Sequence, residues 1–425
     1  MASRWTDASI KGLLRQIFDA AVADADAKAA VLRNLPDIPA GRVVVVGAGK
    51  ASAAMAAAID EVWVDVDLSG VVVTRYGHGV PTNRIEVIEA SHPIPDGMSV
   101  EAGERILKAV QGLTENDLVI AMISGGGSAL LAVPEDGISL ADKQALNREL
   151  LASGASIAEM NAIRKCFSKI KGGKLAAAAR PAKVMTMIIS DIPGDDASQV
   201  ASGPTLPSRA TLPEVRGIIR RYGIKLPPAM KAHLASASLA ATELDYPVNA
   251  RLVATPRTAL EQAAAVGRSH GLNVVILGDA MEGEARELGK FLAAMAHSSR
   301  RHGDPTPLPA LFLSGGEATV TMRKNKGGRG GRNTELLLSL AIALRNEPGV
   351  WAIAGDTDGI DGTEDAAGAI ITPTTFERAQ HLGLNAHESL DHHDSYTFFS
   401  ALGDLFFTGP TLTNINDIRA VLVLP

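Results

Sequence analysis

Cysteine is almost missing from this chain of 425 residues. The single thiol, Cys166, excludes an intramolecular disulfide and any zinc site built on cysteines, and it fits a reducing compartment. Aromatic residues are scarce at 4%. No apolar run approaches the roughly 18 residues that span a bilayer. The first 20 residues carry no signal-peptide core, because Leu13, Leu14, Ile17 and Phe18 fall at helical spacing between Asp7 and Asp19. A cytoplasmic protein without a membrane partner is expected. Excess positive charge is also lacking. A net charge of −6 argues against a nucleic-acid binder, which must neutralise phosphates, so local basic clusters would serve a small anion.

Glycine is plentiful, with 41 in the chain. The most informative group follows a buried-strand pattern, Leu118 to Ile123, and reads Ser124-Gly125-Gly126-Gly127-Ser128 before an apolar helix start. Glycine lets the backbone approach an anion closely, and the first amides of a helix have no internal acceptor. This predicts a phosphate-binding turn. A second strand-to-turn junction is Val43-Val44-Val45-Val46-Gly47-Ala48-Gly49-Lys50. It is no Walker A loop, because Val44 stands where that motif needs glycine and Ala51 where it needs a hydroxyl. It is an incomplete dinucleotide fingerprint, because Ser52 replaces the third glycine. Lys50, held between strand and helix, suits the neutralisation of phosphoryl oxygens.

Two further groups point the same way. A basic glycine-rich loop, Lys324 to Asn333, ends in Arg332, whose planar fork can grip a carboxylate or phosphate, and in Asn333, expected as a helix N-cap. Acidic turns close two strand patterns, Ser190-Asp191-Ile192-Pro193-Gly194-Asp195-Asp196 and Gly355-Asp356-Thr357-Asp358-Gly359-Ile360-Asp361-Gly362. The second is no EF-hand, because Ile360 and Asp361 occupy the places of an oxygen ligand and glycine. Carboxylates beyond the carboxyl ends of parallel strands are where open α/β sheets do ligand and Mg²⁺ chemistry.

Strand patterns at 43–46, 71–74, 85–89, 118–123 and 184–189 alternate with helical stretches at 50–62, 99–111, 139–152 and 157–170. This predicts an α/β protein with a doubly wound, mostly parallel, Rossmann-like sheet. Asn161, Arg164 and Lys171 recur on one polar face of the 157–170 stretch and continue the candidate binding surface. Prolines cluster from 204 to 247, marking a boundary region with short helices, after which a second βα series begins. The histidines, His78 and His92 among them, are scattered in turns, and none is singled out as a catalyst.

Taken in order, Val45-Val46-Gly47-Ala48-Gly49-Lys50-Ala51-Ser52, Val73-Thr74-Arg75-Tyr76-Gly77-His78-Gly79, Ser91-His92-Pro93, the Ser124–Leu130 turn and Ser190-Asp191-Ile192-Pro193-Gly194-Asp195 resemble the class II glycerate kinases. Leu313-Ser314-Gly315-Gly316-Glu317, Gly331-Arg332-Asn333-Thr334-Glu335 and Ala354 to Gly362 resemble that family's C-terminal MOFRL domain. The resemblance implies two domains, residues 1–245 as a Rossmann-like kinase domain and 246–425 as an α/β domain with a mixed sheet, its MOFRL region at about 308–420, with the active site in the cleft between them. It implies ATP- and Mg²⁺-dependent phosphorylation of D-glycerate, typically at the 2-hydroxyl, and leaves a homodimer open. Members have also carried the label hydroxypyruvate reductase, which keeps an NAD(P)H-dependent reductase as the alternative. Under the kinase reading Lys50, Asp191 and Arg332 are catalytic. Gly47, Gly49, Ser124, Gly125, Gly126, Gly127, Ser128, Asn161, Arg164, Lys171, Asn333 and Asp358 bind nucleotide, phosphate or acceptor. Asp191 either orients the acceptor hydroxyl or holds Mg²⁺, with Asp195 as a second metal ligand.

Overall fold

The computed structural model describes residues 5–192, 194–236, 249–322 and 327–425. They form two compact units, a central one of residues 27–253 and a terminal one of residues 1–26 and 254–425.

The central unit contains β1 (Val43–Ala48), β2 (Leu68–Arg75), β3 (Ile85–Ala90), β4 (Leu118–Ile123), β5 (Lys183–Ile189) and β6 (Asn249–Ala254). They lie in the order β3-β2-β1-β4-β5-β6, and every pairing among β1 to β5 is parallel. All six residues of β1 and of β4 are buried, which is why both read as unbroken apolar runs rather than alternating ones. Val44, Val46, Val119, Ala121 and Ile123 share a core with Ala102 and Ile106 of the helix Gly97–Ala109. Each buried valine contributes about 1.5 kcal/mol or more.

A separate helical cluster follows β4 and β5. The helices Leu140–Ala152, Ile157–Cys166, Leu212–Arg221 and Pro228–Ser236 close around Leu146, Leu150, Ile163, Phe167, Val215 and Met230. The last two are the short helices expected in the proline-rich stretch. The helix expected over 157–170 ends early, at Cys166. Ser168 instead bridges to Pro134, and the Phe167 carbonyl accepts bonds from the Glu135 amide and Lys143 Nζ. Lys171 therefore leaves the helix face and sits on a turn.

The terminal unit has β7 (Asn273–Gly278), β8 (Gly283–Glu284), β9 (Ala310–Gly316), β10 (Ala318–Thr319), β11 (Val350–Asp356), β12 (Gly368–Ile371), β13 (Leu405–Phe406) and β14 (Asp417–Val423). Its mixed sheet runs β13-β12-β11-β14-β9-β7, with β7 and β9 parallel and the other pairings antiparallel, beside a small β8–β10 ladder. The helix Arg332–Leu344 is almost wholly buried against the helix Ala285–His302. Their approach needs Gly289, where a Cβ would meet the Leu336 carbonyl at 2.4 Å. The first helix, Asp7–Asp24, packs on the helix Pro256–Ser269, sets Phe18 edge-on to Phe406 at 5.0 Å, and accepts a bond from Trp351 Nε1 at Asp7. Residues 1–26 thus belong with the terminal unit and not, as the sequence suggested, with the first α/β sheet. The expected boundary at 245/246 lies outside the described residues. Among the described residues no helix is long and apolar enough to cross a membrane.

Candidate functional site

In the central sheet β1 has β2 on one side and β4 on the other, so the chain reverses direction of growth between them. This is the topological switch point where open α/β sheets bind ligands, beyond the carboxyl ends of the strands. Both glycine turns are there. Gly49 adopts φ +142°, and a Cβ on it would meet Ser124 Oγ at 2.1 Å. A Cβ on Gly47 would meet the Met122 carbonyl at 2.4 Å. These glycines let the two turns touch. The contact consumes the β1 turn's own donors: the Gly49 amide bonds to the Val73 carbonyl, Lys50 to the Gly125 carbonyl at 2.9 Å, and Ala51 to Ser124 Oγ at 3.0 Å. A dinucleotide fingerprint offers such amides to a pyrophosphate. Here they brace the β4 turn, and the β1 turn presents the Lys50 side chain.

The β4 turn differs. Gly126 adopts φ +81° and a short helix of four residues, Gly127–Leu130, follows. So short a helix adds little dipole. The amides of Gly125, Gly126 and Ser128 meet no acceptor among the described residues. Lys171 Nζ ties the turn down by donating to the carbonyls of Ser128, at 2.9 Å, and Leu131. Ser128 Oγ is 2.8 Å from Ser202 Oγ, which donates to Asn161 Oδ1 at 2.9 Å. Ala201 and Ser202 hold φ of 51° and 61°, a left-handed conformation that is costly without glycine and that clusters at functional sites.

Beside this turn lies a cavity of about 160 Å³ lined by Gly126, Ser128, Arg164 and Lys171, and also by His92, Lys143 and Asn147, with Leu146, Leu150, Leu151, Ala129, Ala132, Pro93 and Pro95 as apolar wall. Its three cations are held by neutral oxygens. Lys143 donates to the Phe167 carbonyl at 3.3 Å, Arg164 to Asn147 Oδ1 at 2.7 Å and Asn161 Oδ1 at 3.2 Å, and Lys171 to the carbonyls named above. No carboxylate lines the cavity. The cost is visible in the acidities. Burial, with repulsion from Arg164 and Lys174, pushes Lys143 down to about 8. Burial likewise holds Lys171 well below an ordinary lysine and lowers Arg164. Buried cations with no carboxylate at the cavity wall favour an anionic ligand.

Asp191 and Asp195 stand on the loop beyond β5, at the same sheet edge as Lys50 and the β4 turn. Among the described residues no three His, Cys, Asp or Glu side chains converge as a metal cage. Hard carboxylate oxygens suit Mg²⁺, which is commonly held by one or two carboxylates with waters and substrate phosphates. Asp191 and Asp195 are two such carboxylates on one loop.

Arg332, Asn333 and Asp358 are in the terminal unit, in a network of their own. Arg332 bonds to Asp417 at 2.9 Å, Glu317 at 2.6 Å and Asp356 at 2.7 Å. Burial opposes its charge, but Asp417, Asp356 and Glu317 outweigh that and raise its pKa. The helix N-cap is Gly331, so Asn333 is the second helical residue and not the cap expected from sequence. The oxygens that cap this helix come from Asp361, which accepts the amides of Asn333 and Thr334 at 2.9 Å each. Asn333 Nδ2 donates to Asp417 at 2.8 Å. Asp358 Oδ1 accepts the Ile360 amide, closing the turn that aims Asp361. The basic residues Lys324 and Lys326 lie outside the described residues.

Sequence reading passed over Lys143, Asn147 and Ser202, and set His92 aside. Lys143 and Asn147 are one turn apart on the helix Leu140–Ala152, a spacing that marks a common face. Nothing local announces that this face is turned inward.

Residues 13–235 match the domain of unknown function DUF4147, and residues 310–417 match the MOFRL family. The D-glycerate 2-kinase of Thermotoga maritima is 37% identical over 418 residues, covering 98% of this chain and 99% of that protein. A crystal structure of glycerate kinase from the same organism superposes with a TM-score of 0.89 at 36% identity, over 98% of this chain and 100% of that one. A protein of Agrobacterium vitis, provisionally named hydroxypyruvate reductase, is 58% identical over 99% of this chain and 96% of its own length.

Proposed function

The chain belongs to the glycerate kinase family that joins a DUF4147 domain to a MOFRL region, and from that premise we propose that it transfers the γ-phosphoryl group of ATP to D-glycerate, at the 2-hydroxyl. The observation that supports the reading best is the cavity lined by three cations and no carboxylate, opening on the glycine turn at the switch point. Phosphoryl transfer asks a protein for positioning and charge neutralisation more than for covalent chemistry. Lys50 neutralises the oxygens of the transferring group, and the amides of Gly125, Gly126 and Ser128 receive anionic oxygens. Asp191 and Asp195 would hold Mg²⁺, which would supply positive charge toward the nucleotide phosphates. Arg332 acts through its carboxylate network.

The reductase reading rests on the name of the Agrobacterium relatives. Against it stand the amides of Gly49, Lys50 and Ala51, all engaged with β2 or the β4 turn and so withheld from a dinucleotide pyrophosphate. The test is product identity. Incubation with D-glycerate, ATP and Mg²⁺ followed by ³¹P NMR is expected to give 2-phosphoglycerate; a resonance of the 3-phosphate instead refutes the regiochemistry.

A further inference from the structure

The cavity's polarity is lopsided. The cations Lys143, Arg164 and Lys171 line it, each held by neutral oxygens, and His92 meets it beside Gly126. A Cβ on Gly126 would lie 3.2 Å from His92 Cδ2 and Nε2 and 3.4 Å from Lys50 Cγ. Imidazole and lysine stem therefore flank the glycine turn. At about 160 Å³ the space suits an acid of a few carbons, being well below the roughly 300 Å³ at which pockets for larger ligands begin. Leucine, alanine and proline make up much of the rest of the wall, matching a short carbon skeleton rather than a triphosphate.

We propose that this cavity is the acceptor pocket: Lys143, Arg164 and Lys171 bind the acceptor's carboxylate, and His92 takes the proton of the hydroxyl that is phosphorylated. The assignment rests on the kinase reading above and adds residues to it. A carboxylate among the cations leaves the acid's hydroxyl facing Gly126, His92 and Lys50. The hydroxyl oxygen bonds to the γ-phosphorus of ATP while the bond from that phosphorus to the β,γ-bridging oxygen breaks, its electron pair leaving with ADP. The hydroxyl proton passes to His92 Nε2 and then to water. No carboxylate lines the cavity, and the imidazole of His92 is the lining side chain whose neutral form carries a ring nitrogen able to take the proton. Asp191 is then left to the metal.

Calorimetry with D-glycerate alone and with a non-hydrolysable ATP analogue alone separates the two anions that cations might serve. Lys143→Met is expected to weaken D-glycerate binding at least about tenfold, the weight of one charged hydrogen bond, and to leave the analogue within twofold. Loss of the analogue with retained D-glycerate makes this the nucleotide's pocket and overturns the proposal. His92→Ala is expected to lower kcat about a hundredfold with KM within threefold, and added imidazole to restore part of the rate. Unchanged kcat, or a loss that imidazole does not touch in this variant and in His92→Gln alike, overturns the role of His92. Lys143→Gln serves if the methionine variant does not fold. Wild-type protein that ignores D-glycerate refutes the kinase reading itself, whereas wild-type binding that survives both Lys143 variants refutes only the pocket.

Discussion

Arg164 donates from Nη2 to Oδ1 of Asn147 at 2.7 Å, and both side chains line one cavity. The partner is an amide and not a carboxylate, so the guanidinium is fixed in place with its charge uncancelled. Arg332 is the opposite case, with three carboxylates around one guanidinium. A charge kept for a ligand and a charge spent on the fold make different predictions.

Lys143 gives the cavity a pH dependence. Arg164, Lys171 and Lys174 repel its charge, Glu135 and Cys166 favour it, and His92 shares the cavity lining; burial dominates and sets its pKa at about 8 against 10.5. Affinity for D-glycerate is expected to fall as pH rises through about 8, and Lys143→Met to abolish that step. The effect on stability has the opposite sign. Between 8 and 10.5 the unfolded chain holds the proton that the folded one has released, so stability from this group rises with pH across that window. Titration calorimetry and denaturant unfolding at pH 7 and 9 check both signs.

Lys50 is next to the switch-point turn and half-buried. Lys50→Ala is expected to lower kcat by about 10²- to 10³-fold, the usual loss for one transition-state charge partner, with little change in thermal unfolding. Steady-state kinetics near wild type would remove it from the mechanism.

Gly126→Val should cost ligand binding rather than the fold. The valine must adopt φ +81°, and its Cβ would crowd His92 and Lys50 at 3.2 and 3.4 Å. Calorimetry is expected to show D-glycerate binding lost while circular dichroism persists. Retained affinity would make the turn purely structural.

Strand periodicity made the first sheet readable, because β1 and β4 are buried on both faces and flanked by glycine turns. Gly126 and Ser128 were legible from the glycine turn after a buried strand, Arg164 and Lys171 from their three- and four-residue spacing, and the structure brings all four to one cavity. The polar face of the 157–170 stretch was not one face, since a Pro134–Ser168 bridge ends the helix early. Lys143 and Asn147 escaped notice because an inward polar face has the same spacing as a solvated one. The first helix went to the wrong unit because its amphipathic pattern says that it packs, not on what. Arg332 was read as a clamp for an anionic ligand, and the three carboxylates that engage it come from segments 15, 24 and 85 residues away.

Arg332→Met therefore tests stability as well as turnover. It removes the cation shared by Asp417, Asp356 and Glu317, but Asp417 keeps its 2.6 Å pair with buried Arg419, so the loss is expected to fall below the roughly 3–5 kcal/mol of a buried charge left with no partner. Thermal unfolding is expected to show a clear loss alongside reduced kcat. Reduced kcat with an unchanged transition would mean that Arg332 acts on the ligand and not through its network.

The most direct measurement is a two-armed assay of the purified chain, D-glycerate with ATP and Mg²⁺ in one arm and hydroxypyruvate with NADH or NADPH in the other. The kinase account predicts ADP and phosphoglycerate in equal amounts from the first arm and no nicotinamide oxidation in the second. Oxidation of NADH or NADPH by hydroxypyruvate, with no ADP formed from ATP and D-glycerate, would contradict it.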